Sequence, residues 1–307
     1  MKFSTVFTAC AIASVQQLTQ ALPSKRAAAT NSVPSVTEVL NFALTLEHIE
    51  NTFYTEGLKN YTQQDFLDAD FPEFARGRWE EISQHEATHT SFLSGILGDQ
   101  AVNACTYNFP VTDAQSFVSF SFLLETVGVS AYSGAAQLLA SNTDYLTAAG
   151  AILAVEARQS AWINSAILNA NPWNTAFDTP LDLNQVYTIA SGVIVSCPST
   201  NMALPVKAFP ALTFPASAQP SQTVQVSFSA DTTPSDTLYV AFISGLESII
   251  VPLDQGSNAV TIPAVLQGVV FAIVVNDSES VGDSVTVAGP AFLSFDYNSK
   301  GQDESEG

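Results

Sequence analysis

The sequence predicts an α+β chain in two parts. A four-helix bundle with a short fifth helix occupies residues 35–200, and a small antiparallel β-sandwich occupies 208–298. Two observations carry this. The spacing of apolar residues changes from helical to alternating near residue 200. The helical half also repeats itself weakly, with acidic residues recurring inside its apolar stripes.

The elements follow in order. Lys2, the apolar run Val6–Val15 and the small residues Thr19 and Ala21 read as a secretory signal over residues 1–21. Residues 22–34 read as a propeptide or linker containing the dibasic pair Lys25-Arg26. Val39, Leu40, Ala43, Leu46, Ile49 and Phe53 mark the first helix. Phe74, Ile82, Phe92, Leu93, Ile96 and Leu97 mark the second, which ends at Gly98-Asp99. The runs 114–141 and 143–170 give the third and fourth, opened by Thr112-Asp113 after Pro110 and by Asn142-Thr143-Asp144. A fifth helix is expected over roughly 184–195, ahead of Cys197-Pro198.

Beyond residue 208, "QTVQVSFSA", "TLYVAFIS", "AVTIPAV", "GVVFAIVVN" and "SVTVAG" are short β-rich runs broken by Pro, Gly, Asp and Asn, the punctuation of a sandwich. The stretch Val265–Val275 is too short to span a bilayer and reads as buried strand. The β-half aromatics Tyr239, Phe242, Phe292, Phe295 and Tyr297 are expected mostly to face the core. Residues 299–307 form an acidic tail without the apolar content to fold.

Nine Lys and Arg stand against 29 Asp and Glu, a net charge of −20. Such a surface repels nucleic acid and anionic membranes, and makes metal cations the natural small partners. Export fits the cysteines. Cys10 leaves with the signal, and the remaining pair, Cys105 and Cys197, is expected to form a disulfide in an oxidising compartment. Asn60 and Asn276 begin N-x-S/T sequons and are glycosylation candidates of an extracellular protein.

The repeat is the most informative feature. "LEHIENTFY" places Glu47 seven residues before Tyr54, and "LETVGVSAY" places Glu125 seven before Tyr132. Seven residues is two helical turns, so each Glu shares a face with its Tyr. "HEATHTSFLSGIL" and "VEARQSAWINSAIL" align Glu86 with Glu156, His89 with Gln159, Phe92 with Trp162 and Leu93 with Ile163. These Glu residues lie within or beside apolar stripes. A buried unpaired carboxylate costs several kcal/mol or takes up a proton, so four converging ones call for cations.

"LNFALTLEHIENTFYTEGL", "HEATHTSFL", "VEARQSAWI" and "FDTPLDLNQVYTIASGVIVSCP" resemble the ferritin-like superfamily, specifically the secreted fungal Rds1-type stress proteins and plant desiccation-related proteins. The resemblance spans residues 37–195 and implies metal ligands at Glu47, Glu86, His89, Glu125 and Glu156. Gln159 stands where a second imidazole is expected, and a neutral amide is a weaker ligand. Two roles are open for Tyr54 and Tyr132, hydrogen-bonding the ligand carboxylates or simply packing in the core. Glu50 is expected to be solvated or to support the ligands, with direct ligation as an alternative, and His48 to lie outside the ligand set.

The string HEATH has a second reading as the zinc-protease signature H-E-x-x-H, with His85 and His89 as ligands and Glu86 as general base. That reading needs a third ligand downstream. The chain's third histidine, His48, lies upstream, and the flanking helices repeat a bundle pattern. In the bundle reading His85 turns away from the site. The expected function is therefore a secreted metal-binding protein holding one or two ions per chain, iron first and Mn or Zn as alternatives. Ferroxidase chemistry or sequestration under stress would follow. The alternative is a non-catalytic structural or cell-wall-associated stress protein with a vestigial site. Oligomeric state is not legible in the sequence.

Overall fold

The computed structural model describes residues 33–229 and 237–298. The expected signal, most of the 22–34 segment and the acidic tail lie outside the described residues.

Among the described residues, six α-helices form the first half: α1 (Val36–Asn60), α2 (Gln63–Asp68), α3 (Ala75–Leu97), α4 (Ala114–Ala135), α5 (Thr143–Trp162) and α6 (Leu183–Ser191). Their starts are set locally. Ser35 with Glu38, Thr62 with Asp65, Asp113 with Ser116 and Asp182 with Gln185 form reciprocal caps in which each side chain satisfies the other's backbone amide. Asn142 caps α5 through the Tyr145 amide. α1 packs along α3, and α4 along α5. Strands β1 (Thr106–Tyr107) and β2 (Ile194–Ser196) pair beside the Cys105–Cys197 disulfide, which ties the loop after α3 to the segment after α6.

The expected helices differ from the observed ones in four places. The six-residue α2 was not expected. Phe74 and Phe92 are exposed. Phe74 precedes the first turn of α3, and Phe92 lies about 100° around the helix from Leu93, off the buried line Trp79, Ile82, Glu86 and Leu93. α5 widens into a π-turn over Ile163–Ile167. α6 stops at Ser191, because residues 194–196 are claimed by β2, where Val195 is exposed.

The second half holds β3 (Leu212–Thr213), β4 (Thr223–Gln225), β5 (Ser227–Phe228), β6 (Tyr239–Ser244), β7 (Glu247–Pro252), β8 (Ala259–Thr261), β9 (Gly268–Val275) and β10 (Thr286–Phe295). The main antiparallel sheet has the order β10-β9-β6-β7, and two ribbons, β3–β5 and β4–β8, accompany it. Alternation assigns the two faces. Ala241, Ile243, Val269, Phe271, Ile273 and Val275 join the core of the helices. Val240, Phe242, Val270, Ala272 and Val274 join Phe214, Val226, Val260 and Ile262 of the ribbon side. The sheet is thus covered on both faces, which is why β9 is buried along its whole length. Phe242 and Phe295 are buried, and Phe292 meets both Phe122 of α4 and Phe271 edge-on.

Candidate metal centre

Each long helix presents two positions three residues apart to the bundle interior: Glu47 and Glu50 on α1, Glu86 and His89 on α3, Glu125 and Gly128 on α4, Glu156 and Gln159 on α5. Residues i and i+3 share a helix face. Glu47, Glu86, Glu125 and Glu156 are fully buried, and Glu50 is 4% exposed.

The hydrogen bonds cross between the two halves of the repeat. The Tyr54 hydroxyl of α1 donates to Glu125 Oε1 of α4, and the Tyr132 hydroxyl of α4 donates to Glu47 Oε1 of α1. That reciprocity requires α1 and α4 to run antiparallel. His89 Nδ1 lies 3.0 Å from Glu86 Oε2 and 3.3 Å from Glu47 Oε2. The second distance is that of an ion pair and lacks hydrogen-bond alignment, so Glu47 Oε2 has no hydrogen-bond partner among the described residues. Gln159 Nε2 donates to Glu86 Oε1 at 3.1 Å and lies 3.2 Å from His85 Nδ1. Glu125 Oε2 and both oxygens of Glu156 likewise have no hydrogen-bond partner among the described residues.

Five buried carboxyl groups face one imidazole. Burial pushes Glu50, Glu125 and Glu156 well above the usual carboxylate range, and the neighbouring carboxylates push them further. Glu47 is raised to about 7, burial outweighing the contacts from His89 and Tyr132. Burial alone would lower His89, but the Glu47 and Glu86 carboxylates beside it prevail and raise it to about 10. Burial also lifts the Tyr54 and Tyr132 phenols well above their ordinary value, so both remain donors.

Two sets of donor atoms come close enough for one ion each. One atom apiece from Glu47, Glu86 and His89 lie within 4.8 Å of one another, and so do single oxygens of Glu47, Glu50 and Glu156. Donors bound to one Zn(II) at about 2.0–2.2 Å sit at most about 4.4 Å apart, so each set would draw in slightly around an ion. The residues fit a metal on chemical grounds as well. Carboxylate and imidazole are the donors of Fe, Mn and Zn sites, and the partnerless oxygens of Glu156 are those a cation would satisfy.

All six expected ligand positions and both tyrosines converge in the bundle interior. Glu50 is not solvated: it is buried among the others. Gly128 escaped the sequence reading altogether. A Cβ there would fall 2.5 Å from Glu156 Oε2 and 3.2 Å from Glu50 Oε1, so a bare backbone on α4 makes the room these two carboxylates use. His85 is exposed on α3 and meets the cluster only through Gln159. His48 turns away, with Nε2 3.0 Å from the Val102 carbonyl oxygen. Among the described residues His85 belongs to neither close donor set, so it and His89 form no protease constellation. On the α4–α6 side, a cavity of about 210 Å³ with largely apolar walls reaches Glu50 and Gly128.

A bundle of antiparallel helices around buried carboxylates is the architecture of ferritin-like proteins. Residues 35–169, most of the helical half, match the family described as Ferritin-like domain. The chain is also similar to Protein rds1 of Schizosaccharomyces pombe, with 28% identity over 176 residues. That stretch is 56% of this chain and 42% of the relative, so the chain spans less than half the length of the protein it matches. No helix among the described residues is long and apolar enough to cross a membrane.

Proposed function

We propose that this chain is a secreted metal-binding protein whose cluster holds divalent cations, with iron the first choice. The observation that carries the reading is Glu156, fully buried with neither oxygen hydrogen-bonded among the described residues, in the midst of four other buried carboxyl groups. Glu47, Glu86 and His89 would hold one ion, Glu125 and Glu156 would face it or a neighbour, and Gln159 would orient Glu86 rather than ligate. Bound iron would supply one-electron chemistry, from Fe(II) to Fe(III), with dioxygen as acceptor. Tyr54 and Tyr132 pin one oxygen of Glu125 and of Glu47, and the second oxygen of each has no hydrogen-bond partner among the described residues. The ions would displace protons held by Glu47 and its neighbours, so uptake strengthens as pH rises through about 7.

Anaerobic Fe(II) loading followed by admission of oxygen tests the reading. Uptake with growth of Fe(III) absorbance supports ferroxidase chemistry, uptake without it supports sequestration, and no uptake of Fe, Mn or Zn contradicts both. A second reading rests on Gln159, whose amide already satisfies Glu86, and on carboxyl groups whose raised pKa values let them stay protonated. In it the cluster is metal-free and the domain serves a structural, stress- or cell-wall-associated role. Asn60 and Asn276 are both exposed, as glycan attachment in a secreted chain requires.

A further inference from the structure

We propose that Glu50 builds a second metal position of all-carboxylate composition, with Glu47 shared between it and the His89 position; this rests on reading the cluster as a metal centre. Three observations converge. Single oxygens of Glu47, Glu50 and Glu156 lie within 4.8 Å of one another, the same closeness as the set that includes His89. Glu156 is fully buried, and neither of its oxygens has a hydrogen-bond partner among the described residues, so both are unsatisfied within this cluster. Gly128 is the one-atom condition for the arrangement: its absent Cβ would otherwise press on Glu156 Oε2 at 2.5 Å and on Glu50 Oε1 at 3.2 Å.

The repeat explains how such a position arises. Aligning Glu47 with Glu125 places Glu50 opposite Gly128, just as Glu86 and Glu156 place His89 opposite Gln159. The second half lacks the imidazole, and its amide nitrogen is spent on Glu86. The first half contributes an extra carboxylate, and the second half contributes the space it enters. The two positions therefore differ in kind. One offers imidazole nitrogen with two carboxylates and suits Fe(II) and Zn(II). The other offers three carboxylates and no nitrogen, a set that favours hard, oxygen-seeking cations of the Mn(II) class. The cavity that touches Glu50 and Gly128 makes the all-carboxylate position the one approached from the α4–α6 side.

The test is a Mn(II) titration of the metal-free full chain, read by calorimetry and by electron paramagnetic resonance of the unbound ion. Wild type is expected to bind two Mn(II), Glu50→Gln one, and His89→Gln one. Gly128→Ala, which alters no carboxylate, is expected to weaken the same ion that Glu50→Gln removes, by tenfold or more. Two ions bound with unchanged affinity in Glu50→Gln would overturn the proposal and leave the metal centre standing. One ion in wild type, unaffected by Glu50→Gln but lost in His89→Gln, would do the same. No Mn(II), Fe(II) or Zn(II) bound by wild type would instead overturn the metal reading on which the proposal rests. Circular dichroism of each variant separates loss of an ion from loss of the fold, and Gly128→Ala addresses the position independently of Glu50.

Discussion

The two halves of the helical repeat share a plan and diverge at two positions. α1 with α3 carries Glu47, Glu50, Glu86 and His89, while α4 with α5 carries Glu125, Gly128, Glu156 and Gln159. What they keep is reciprocal: each half's tyrosine holds the other half's glutamate. What they lose is concentrated in the second half, which gives up an imidazole and a carboxylate and gains an amide and a gap. A pseudosymmetric scaffold thereby acquires a one-sided site, with donors crowded on α1 and α3 and room on α4. The same division extends to packing. Gly134 of α4 lies against the backbone of Leu181, whose amide donates to the Ser130 carbonyl, while its counterpart on α1 is the exposed Glu56.

The largest expected effect comes from that last difference. A Cβ at Gly134 would fall 1.7 Å from the Leu181 carbonyl oxygen, so Gly134→Ala should lose about 3 kcal/mol or more in chemical denaturation. Glu56→Ala should stay within about 0.5 kcal/mol. Equal losses would break the comparison.

Next comes pH. Glu47 carries an ordinary value of 4.5 raised to about 7, so its protonated form stabilises the metal-free fold fully below pH 4.5, and that contribution fades as pH rises through about 7. His89, raised to about 10, contributes fully below its ordinary 6.5 and is lost only as pH climbs through 10, in the same direction. Metal-free protein should therefore melt at a lower temperature at pH 8 than at pH 5. A saturating divalent cation should narrow that gap, adding about 2.7 kcal/mol at a hundredfold excess over Kd. A melting temperature that rises with pH in the metal-free protein would contradict the raised carboxylate values.

Mutating the aligned pair His89 and Gln159 sharpens the contrast. His89→Ala should weaken the ion it touches by about 100-fold or more, whereas Gln159→Ala, which removes only a bond to Glu86, should cost about tenfold. Matching losses in a metal titration would make Gln159 a ligand in its own right. The tyrosines come last. Tyr132→Phe and Tyr54→Phe each leave one buried oxygen without its donor, worth about 1–3 kcal/mol in the metal-free fold. Of the two, Tyr132→Phe should disturb metal binding more, because its partner Glu47 belongs to both donor sets.

The sequence made much of this visible for a physical reason. A Glu inside an apolar stripe is conspicuous, and two alignments of Glu with Tyr at two-turn spacing point to a shared interior. The buried β9 announced itself as an unbroken apolar run, because a strand covered on both faces does not alternate. Glu50 was harder, since His48 and Asn51 beside it make a polar neighbourhood that reads as surface. Gly128 left no trace, because its contribution is the absence of a side chain and only the positions of Glu156 and Glu50 give that absence meaning. The short α2 did carry a signal, the Thr62 and Asp65 capping pair, in a segment too brief for apolar periodicity to show.

The most direct measurement is the metal-to-protein ratio of the desalted full chain after anaerobic Fe(II) loading at pH 7.5, by mass spectrometry. The account predicts two ions per chain, one of them lost in Glu50→Gln. A ratio of zero for iron, repeated for manganese and zinc, would contradict it and leave the buried carboxyl groups as a purely structural cluster.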